Sequence, residues 1–201
     1  MNNRETTIKE VEQSLIEFIQ NFCINPFEYF YEEDLRAFLL TKLKSKVNIS
    51  SEFPTLTYSK EIRKSSVNSS IIKAEYPYYK KFDIAFLSYQ KEKDFYNQPV
   101  FMAIEIKLGS HKIGMDRTAG FKSDIVKLTE CLTTYKNENF IGIALYFCQT
   151  LILKKEIDEW YKGISFEQID VNQLVLSKNN VYAIIVPGEQ SEKISLSKIK
   201  S

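Results

Sequence analysis

The stretch "PVFMAIEIKL" (residues 99–108) decides the fold. Its apolar run carries two charges, Glu105 and Lys107, two positions apart. Side chains alternate along a strand, so Glu105 and Lys107 share one face while Ile104, Ile106 and Leu108 share the other. One face of this strand therefore reads as core, and the other presents a carboxylate and an ammonium together.

Working outward, "IIKAEY" (71–76) and "KFDIAFLSY" (81–89) read as preceding strands, with "QKEKDFYNQ" (90–98) as a polar turn. Downstream, Phe121, Ile125, Leu128 and Leu132 form one face of a helix over 118–135. "FIGIALYFC" (140–148) is almost continuously apolar, as expected of a strand buried on both faces. "KKEIDEWYKGI" (154–164) reads as a charged helix and "VYAIIVP" (181–187) as a last strand. Upstream, Val11, Leu15, Phe18, Ile19 and Phe22 give a helix over 6–22, interrupted by "INPF" around Pro26. A second helix over 31–45 has Leu35, Phe38, Leu39 and Leu43 as its apolar stripe. Residues 44–70 are polar and Ser-rich, a loop or insertion. Helix, helix, three strands, helix, strand, helix, strand is an α/β order, with a mixed sheet and helices on both faces. No repeat or linker divides the chain, so 1–201 reads as one domain with 1–30 as an N-terminal helical extension.

The composition fits a globular protein: 201 residues, 44% hydrophobic and 26% charged. With a formal net charge of +1, a nucleic-acid partner would need a local basic surface. Cys23, Cys131 and Cys148 are odd in number and widely spaced, which reads as reduced thiols in a cytoplasmic protein. The single histidine, His111, leaves no room for a His-rich zinc site. The charged N-terminus lacks the apolar region of a signal peptide, and no run of about 18 apolar residues suggests a membrane span.

Asp83 stands near the start of the strand before Glu105 and Lys107. If the two strands are adjacent and antiparallel, these three groups converge at one end of the sheet. Two neighbouring carboxylates repel, so a hard divalent cation binds there readily, and Mg²⁺ is content with one or two carboxylates, waters and phosphate oxygens. A lysine beside it can stabilise charge growing on a phosphorus centre or help orient a water.

"FD" (82–83) followed by "EIK" (105–107) resembles the PD-(D/E)xK nuclease superfamily, the restriction-endonuclease-like fold. "YEEDLRAFLLTKL" (31–43) is similar to its first core helix, which often supplies a further acid. "AEYPYYKKFDIAFL" (74–87) resembles the approach to the metal-binding aspartate, and "RTAGFKSDIVKL" (117–128) the helix after the E-x-K strand. The usual proline of the motif is replaced by Phe82. The resemblance implies an α/β/α core in which Asp83 and Glu105 hold Mg²⁺, with Mn²⁺ able to substitute, and Lys107 is the catalytic lysine. Glu32 and Glu33 are both available as the first-helix acid. Glu32 lies three before Leu35 and seven before Leu39, so periodicity favours it.

Other residues carry plainer readings beside functional ones. Lys127 could reach the site from its helix, but reads first as a solvated lysine or a phosphate contact. Asp124 reads as a surface or helix-turn acid, His111 as a loop residue, and Glu75 as an ordinary strand residue. Lys80, Lys81, Lys112, Arg117 and Lys122 flank the site in sequence and could contact phosphates. Tyr76, Tyr78 and Tyr79 read as packing before base stacking. Together these expectations describe a metal-dependent nuclease hydrolysing phosphodiester bonds, DNA being the favoured substrate and a homodimer a natural form. The alternative is a non-catalytic module of the same fold that binds nucleic acid or protein. No P-loop, GxGxxG or GxSxG supports another α/β enzyme.

Overall fold

The computed structural model describes residues 3–46, 70–78, 80–88, 92, 98–109, 117–134, 139–149, 166–169, 174–176, 180–187 and 195–199. The expected helix over 154–164, residues 47–69 of the polar segment, most of the 90–98 turn, Tyr79, His111 and Lys112 lie outside the described residues.

Helix α1 (Asn3–Ile24) buries Val11, Leu15, Phe18, Ile19 and Phe22, the stripe expected of it. A single 3₁₀ turn (Pro26–Glu28) carries the chain into α2 (Glu32–Lys46), which buries Leu35, Leu39 and Leu43. The start of α2 is fixed by its third residue, Asp34. One oxygen of its carboxylate accepts from the backbone N–H groups of Phe30 and Tyr31, each at 3.0 Å. Those amides have no partner within the helix, so the carboxylate completes the reciprocal half of a capping box. Phe38, expected in the apolar stripe, is instead 43% exposed, although its ring stacks on Phe18 at 5.6 Å.

The strands are β1 (Ser70–Tyr78), β2 (Lys80–Ser88), β3 (Val100–Gly109), β4 (Ile141–Cys148), β5 (Phe166–Ile169), β6 (Asn180–Pro187) and β7 (Ser195–Ile199), with α3 (Arg117–Thr134) between β3 and β4. They form one seven-stranded sheet in the order β1-β2-β3-β4-β6-β7-β5. The central strands β3, β4 and β6 run parallel, while β1-β2-β3 and β6-β7-β5 pair antiparallel. The sheet is mixed and the class is α/β. Every residue of β4 is buried, as its apolar run requires between two layers of helix.

The sheet holds two cores. On one face Ile84, Phe86, Met102, Ile104, Ile143 and Leu145 meet α1 and α2. On the other, Ala85, Ala103, Ala144, Ala183 and Tyr146 meet Phe121, Ile125 and Leu128 of α3. Three sequence expectations change here. β5 and β7 extend the sheet beyond the expected strands. β1 continues through Pro77, which an edge strand tolerates because one row of its amides has no ladder to complete. α3 covers the Glu105 face closely enough to take the carboxylate out of solvent: Glu105 is only 3% exposed.

Candidate active site

β2 and β3 pair in antiparallel register from Leu87–Val100 to Ile84–Ile104, where the ladder stops. One step further along this register Asp83 stands across from Glu105. The Ile106 amide is satisfied there by a side chain: Asp83 Oδ2 accepts its N–H at 2.8 Å. The other oxygen of Asp83 lies 3.5 Å from Arg36 Nη1, reaching down from α2. A carboxylate is thus held at both oxygens at the point where β2 and β3 part.

Lys107 follows two residues along β3. Its Nζ is 3.0 Å from Glu32 Oε2 in the first turn of α2 and 3.9 Å from Asp124 Oδ2 on α3. Glu105 faces α3, where Lys127 Nζ comes to 2.6 Å from its Oε1 and lies 3.7 Å from Asp124 Oδ1. The Lys127 ammonium also sits 5.6 Å from the centre of the Phe82 ring. Although near in sequence to Ile84 and Phe86, Phe82 packs in the α3-side core and breaks the alternation at the start of β2. The arrangement is a chain of alternating charge, Glu32–Lys107–Asp124–Lys127–Glu105, with Asp83–Arg36 beside it.

Burial dominates the electrostatics. Removal from water pushes the Glu105 carboxyl up to about 8; Lys127 opposes the shift, while Asp83 and Asp124 add to it. Asp124 is also raised, by burial first, with Lys107 and Lys127 opposing and Asp83 and Glu32 adding. For Lys107 burial favours loss of the proton, but Asp124, Glu32 and Asp83 outweigh it, so the amine is held above its usual range. Two buried oxygens, Glu105 Oε1 and Asp124 Oδ2, have no well-directed hydrogen bond. Lys127, 2.6 Å from Glu105 Oε1, is the group that opposes the effect of burial there.

The structure brings Asp83, Glu105, Lys107 and Glu32 together. Glu33 is exposed, so Glu32 is the acid of the first helix that turns inward. Lys127 is not a solvated lysine, and Asp124 is not a surface acid: both are drawn into the cluster. Lys122 is half-buried on α3. Lys80 and Lys81 open β2, and Arg117 opens α3. Arg36 escaped the sequence reading, yet it lies four after Glu32 and therefore on the same helical side. Asp124 had a similar signal, lying three after Phe121 and one before Ile125, within the inward stripe. An open groove of about 560 Å³ on α2, lined by Glu28, Tyr29, Phe38 and Lys42 among others, shares no residue with this cluster.

Asp83 and Glu105 offer carboxylates to a cation, and the two poorly satisfied buried oxygens are what a hard cation would satisfy. Among the described residues no three His, Cys, Asp or Glu side chains form a group able to hold a metal ion alone. Mg²⁺ asks less, since waters and phosphate oxygens complete its shell. The chain matches no family model, no curated protein and no solved structure. Among the described residues no helix is long and apolar enough to cross a membrane.

Proposed function

We propose that the protein is a Mg²⁺-dependent nuclease of restriction-endonuclease-like fold that hydrolyses phosphodiester bonds, in DNA by preference. The observation carrying this reading is Glu105: a buried carboxyl pushed up to about 8, beside Asp83, with Lys107 two residues away. A carboxyl so buried is costly as structure even beside Lys127, and a cation would relieve it.

Asp83 and Glu105 are the residues to hold Mg²⁺, with Mn²⁺ serving in its place. Bound there, the ion would supply an activated water and neutralise charge on the scissile phosphate. Arg36 and the Ile106 amide fix the orientation of Asp83. Lys107 keeps its proton because three carboxylates surround it. It therefore serves as a positive partner for the phosphate rather than as the base that takes a proton from water. Glu32 acts through Lys107 and is a positioning residue. A homodimer would allow two sites to act on opposite strands.

One observation favours a different reading. Glu32, Asp83 and Glu105 each already have a basic partner, and the described residues hold no ready group of three metal ligands. A paired network of this kind also suits a non-catalytic module that binds nucleic acid or protein.

The two separate on incubating plasmid, single-stranded DNA and RNA with Mg²⁺, Mn²⁺ or EDTA, using wild type, Asp83→Ala and Lys107→Ala. Metal-dependent cleavage by wild type, lost in both variants, is the expected result. Equal cleavage by all three proteins, or none under any condition, would sink the nuclease reading.

A further inference from the structure

Away from this cluster, the turn between α1 and α2 carries an unusual surface. Phe30 is 75% and Tyr31 70% exposed, with Ile24 and Phe27 also exposed close by in the chain. Large apolar side chains gathered in this way mark contact surfaces more often than chance exposure. Nor are they carried by a loose loop. Asp34 holds the Phe30 and Tyr31 amides. Gln149, just past β4, donates to the Tyr29 carbonyl at 2.6 Å. Asn21 donates to the Tyr29 hydroxyl at 3.0 Å. The rings are displayed from a backbone held by Asp34 and Gln149, with the Tyr29 side chain anchored by Asn21, so little ordering entropy opposes binding.

The surrounding charge selects the occupant. Glu28, Glu33 and Asp34 are exposed around the rings. The two nearest basic side chains of α2 are engaged: Arg36 with Asp83 and Lys42 with Glu17 at 2.8 Å. The partial positive charge at the N-terminus of α2, roughly half a unit, offsets only part of three carboxylates. The exposed charge of the described residues here repels phosphates, which disfavours a nucleic-acid strand. Guanidinium and ammonium groups are attracted twice, by the carboxylates and by the ring faces.

We propose that the surface formed by Phe27, Phe30 and Tyr31 with Glu28, Glu33 and Asp34 docks a partner protein through a segment that combines arginine or lysine with large apolar side chains. The groove along α2 begins beside these residues, lined by Glu28, Asp34 and Phe38, and gives such a segment a path. This docking is separate from cleavage and does not depend on the nuclease reading.

The test uses the full chain and two synthetic peptides of equal length, one alternating arginine with leucine and tryptophan, the other with glutamate replacing arginine. Amide chemical shifts are followed during each titration. We expect saturable shifts confined to residues 24–45 with the cationic peptide and none there with the acidic one. Phe30→Ala/Tyr31→Ala should weaken binding at least tenfold. Glu28→Gln/Glu33→Gln should weaken it several-fold at low salt and have less effect at high salt. These side chains are exposed, so an unchanged melting temperature confirms that both variants fold. Shifts elsewhere, or affinity untouched by either pair, overturn the proposal. So does single-stranded DNA binding that is lost with the rings, or a homodimer that the ring variant dissociates while peptide affinity stays the same.

Discussion

The two faces of the sheet are built from different materials. Toward α1 and α2 the strands present Ile84, Phe86, Met102, Ile104, Ile143, Leu145 and Phe147. Phe147 packs its ring 5.1 Å from Phe18 and 4.8 Å from Phe22. Toward α3 they present alanines at 85, 103, 144 and 183 among the larger Phe82, Leu87, Tyr146 and Ile185. A floor of small residues lets a helix settle close, and this brings Asp124 and Lys127 down onto Glu105 and Lys107. Large side chains on the first face exclude water for stability. Small ones on the second face exclude water around charges and so perturb their titration. The first face, where Glu12 of α1 is the only acid of raised pKa among the described residues, should respond weakly to pH and cations, and the second strongly to both.

The largest expected effect lies on the first face. Phe147→Ala should cost about 3–5 kcal/mol, since it empties the junction between β4 and α1. Denaturant unfolding at pH 5 and pH 8 should give the same loss. A loss that changed greatly with pH would mean the two faces are not separable.

On the second face Glu105 sets the pH response. Its folded-state pKa of about 8 lies above the ordinary 4.5, so between these values the folded protein binds more protons than the unfolded chain. Its contribution is therefore fully favourable below pH 4.5 and is lost as pH rises toward 8. The slope approaches about 1.4 kcal/mol per pH unit, on the order of 3 kcal/mol between pH 5 and 8 for this group alone. Glu105→Gln should remove most of this slope while changing little at pH 5. Saturating Mg²⁺ should flatten the wild-type slope and leave the variant unmoved. Melting curves across this range check both, and an unaltered slope in the variant would assign the pH response to another group.

The closeness of α3 can be tested directly. A Cβ placed on Gly142 would lie 2.9 Å from Leu128 Cβ, nearer than real atoms approach. Gly142→Ala should therefore push α3 outward and cost about 1–3 kcal/mol. It should also admit water to Glu105 and reduce the pH slope, coupling packing to titration. Unfolding measurements at pH 5 and 8 read both effects together.

Much of this was legible in the sequence. The 3–4 spacing of α1 and the unbroken apolar run of β4 found their places because each reports burial directly. The meeting of Asp83, Glu105 and Lys107 followed from strand alternation, given the two strands as antiparallel neighbours; that an acid of the first helix joins them came from the family resemblance, with periodicity choosing Glu32 over Glu33. The burial of Glu105 did not follow, because alternation shows which side a residue faces and not what covers that side. Lys127 and Asp124 looked like solvated charges for the same reason: only the alanine floor brings their helix close enough. β5 has four residues and β7 five, too short for a period-two pattern to stand out. Phe38 follows the apolar spacing of α2 but lies at the edge of the stripe, against the Tyr29 ring and half outside.

The smallest effect tests whether charge belongs to the first face at all. Lys42 on α2 and Glu17 on α1 pair at 2.8 Å along the rim of the aromatic core, both still partly in water. Solvent screens such a pair, and two flexible side chains lose entropy in forming it. A double-mutant cycle with Glu17→Ala and Lys42→Ala should therefore give a coupling of about 0.2–1 kcal/mol, smaller still in high salt. A parallel cycle between Glu105→Gln and Lys127→Met, where the carboxylate is buried and the ammonium largely withdrawn from water, should give a larger coupling that salt alters less. If the exposed pair matched the buried one, water exclusion by α3 would not be what separates the faces. The charges themselves, wherever placed, would then account for the difference.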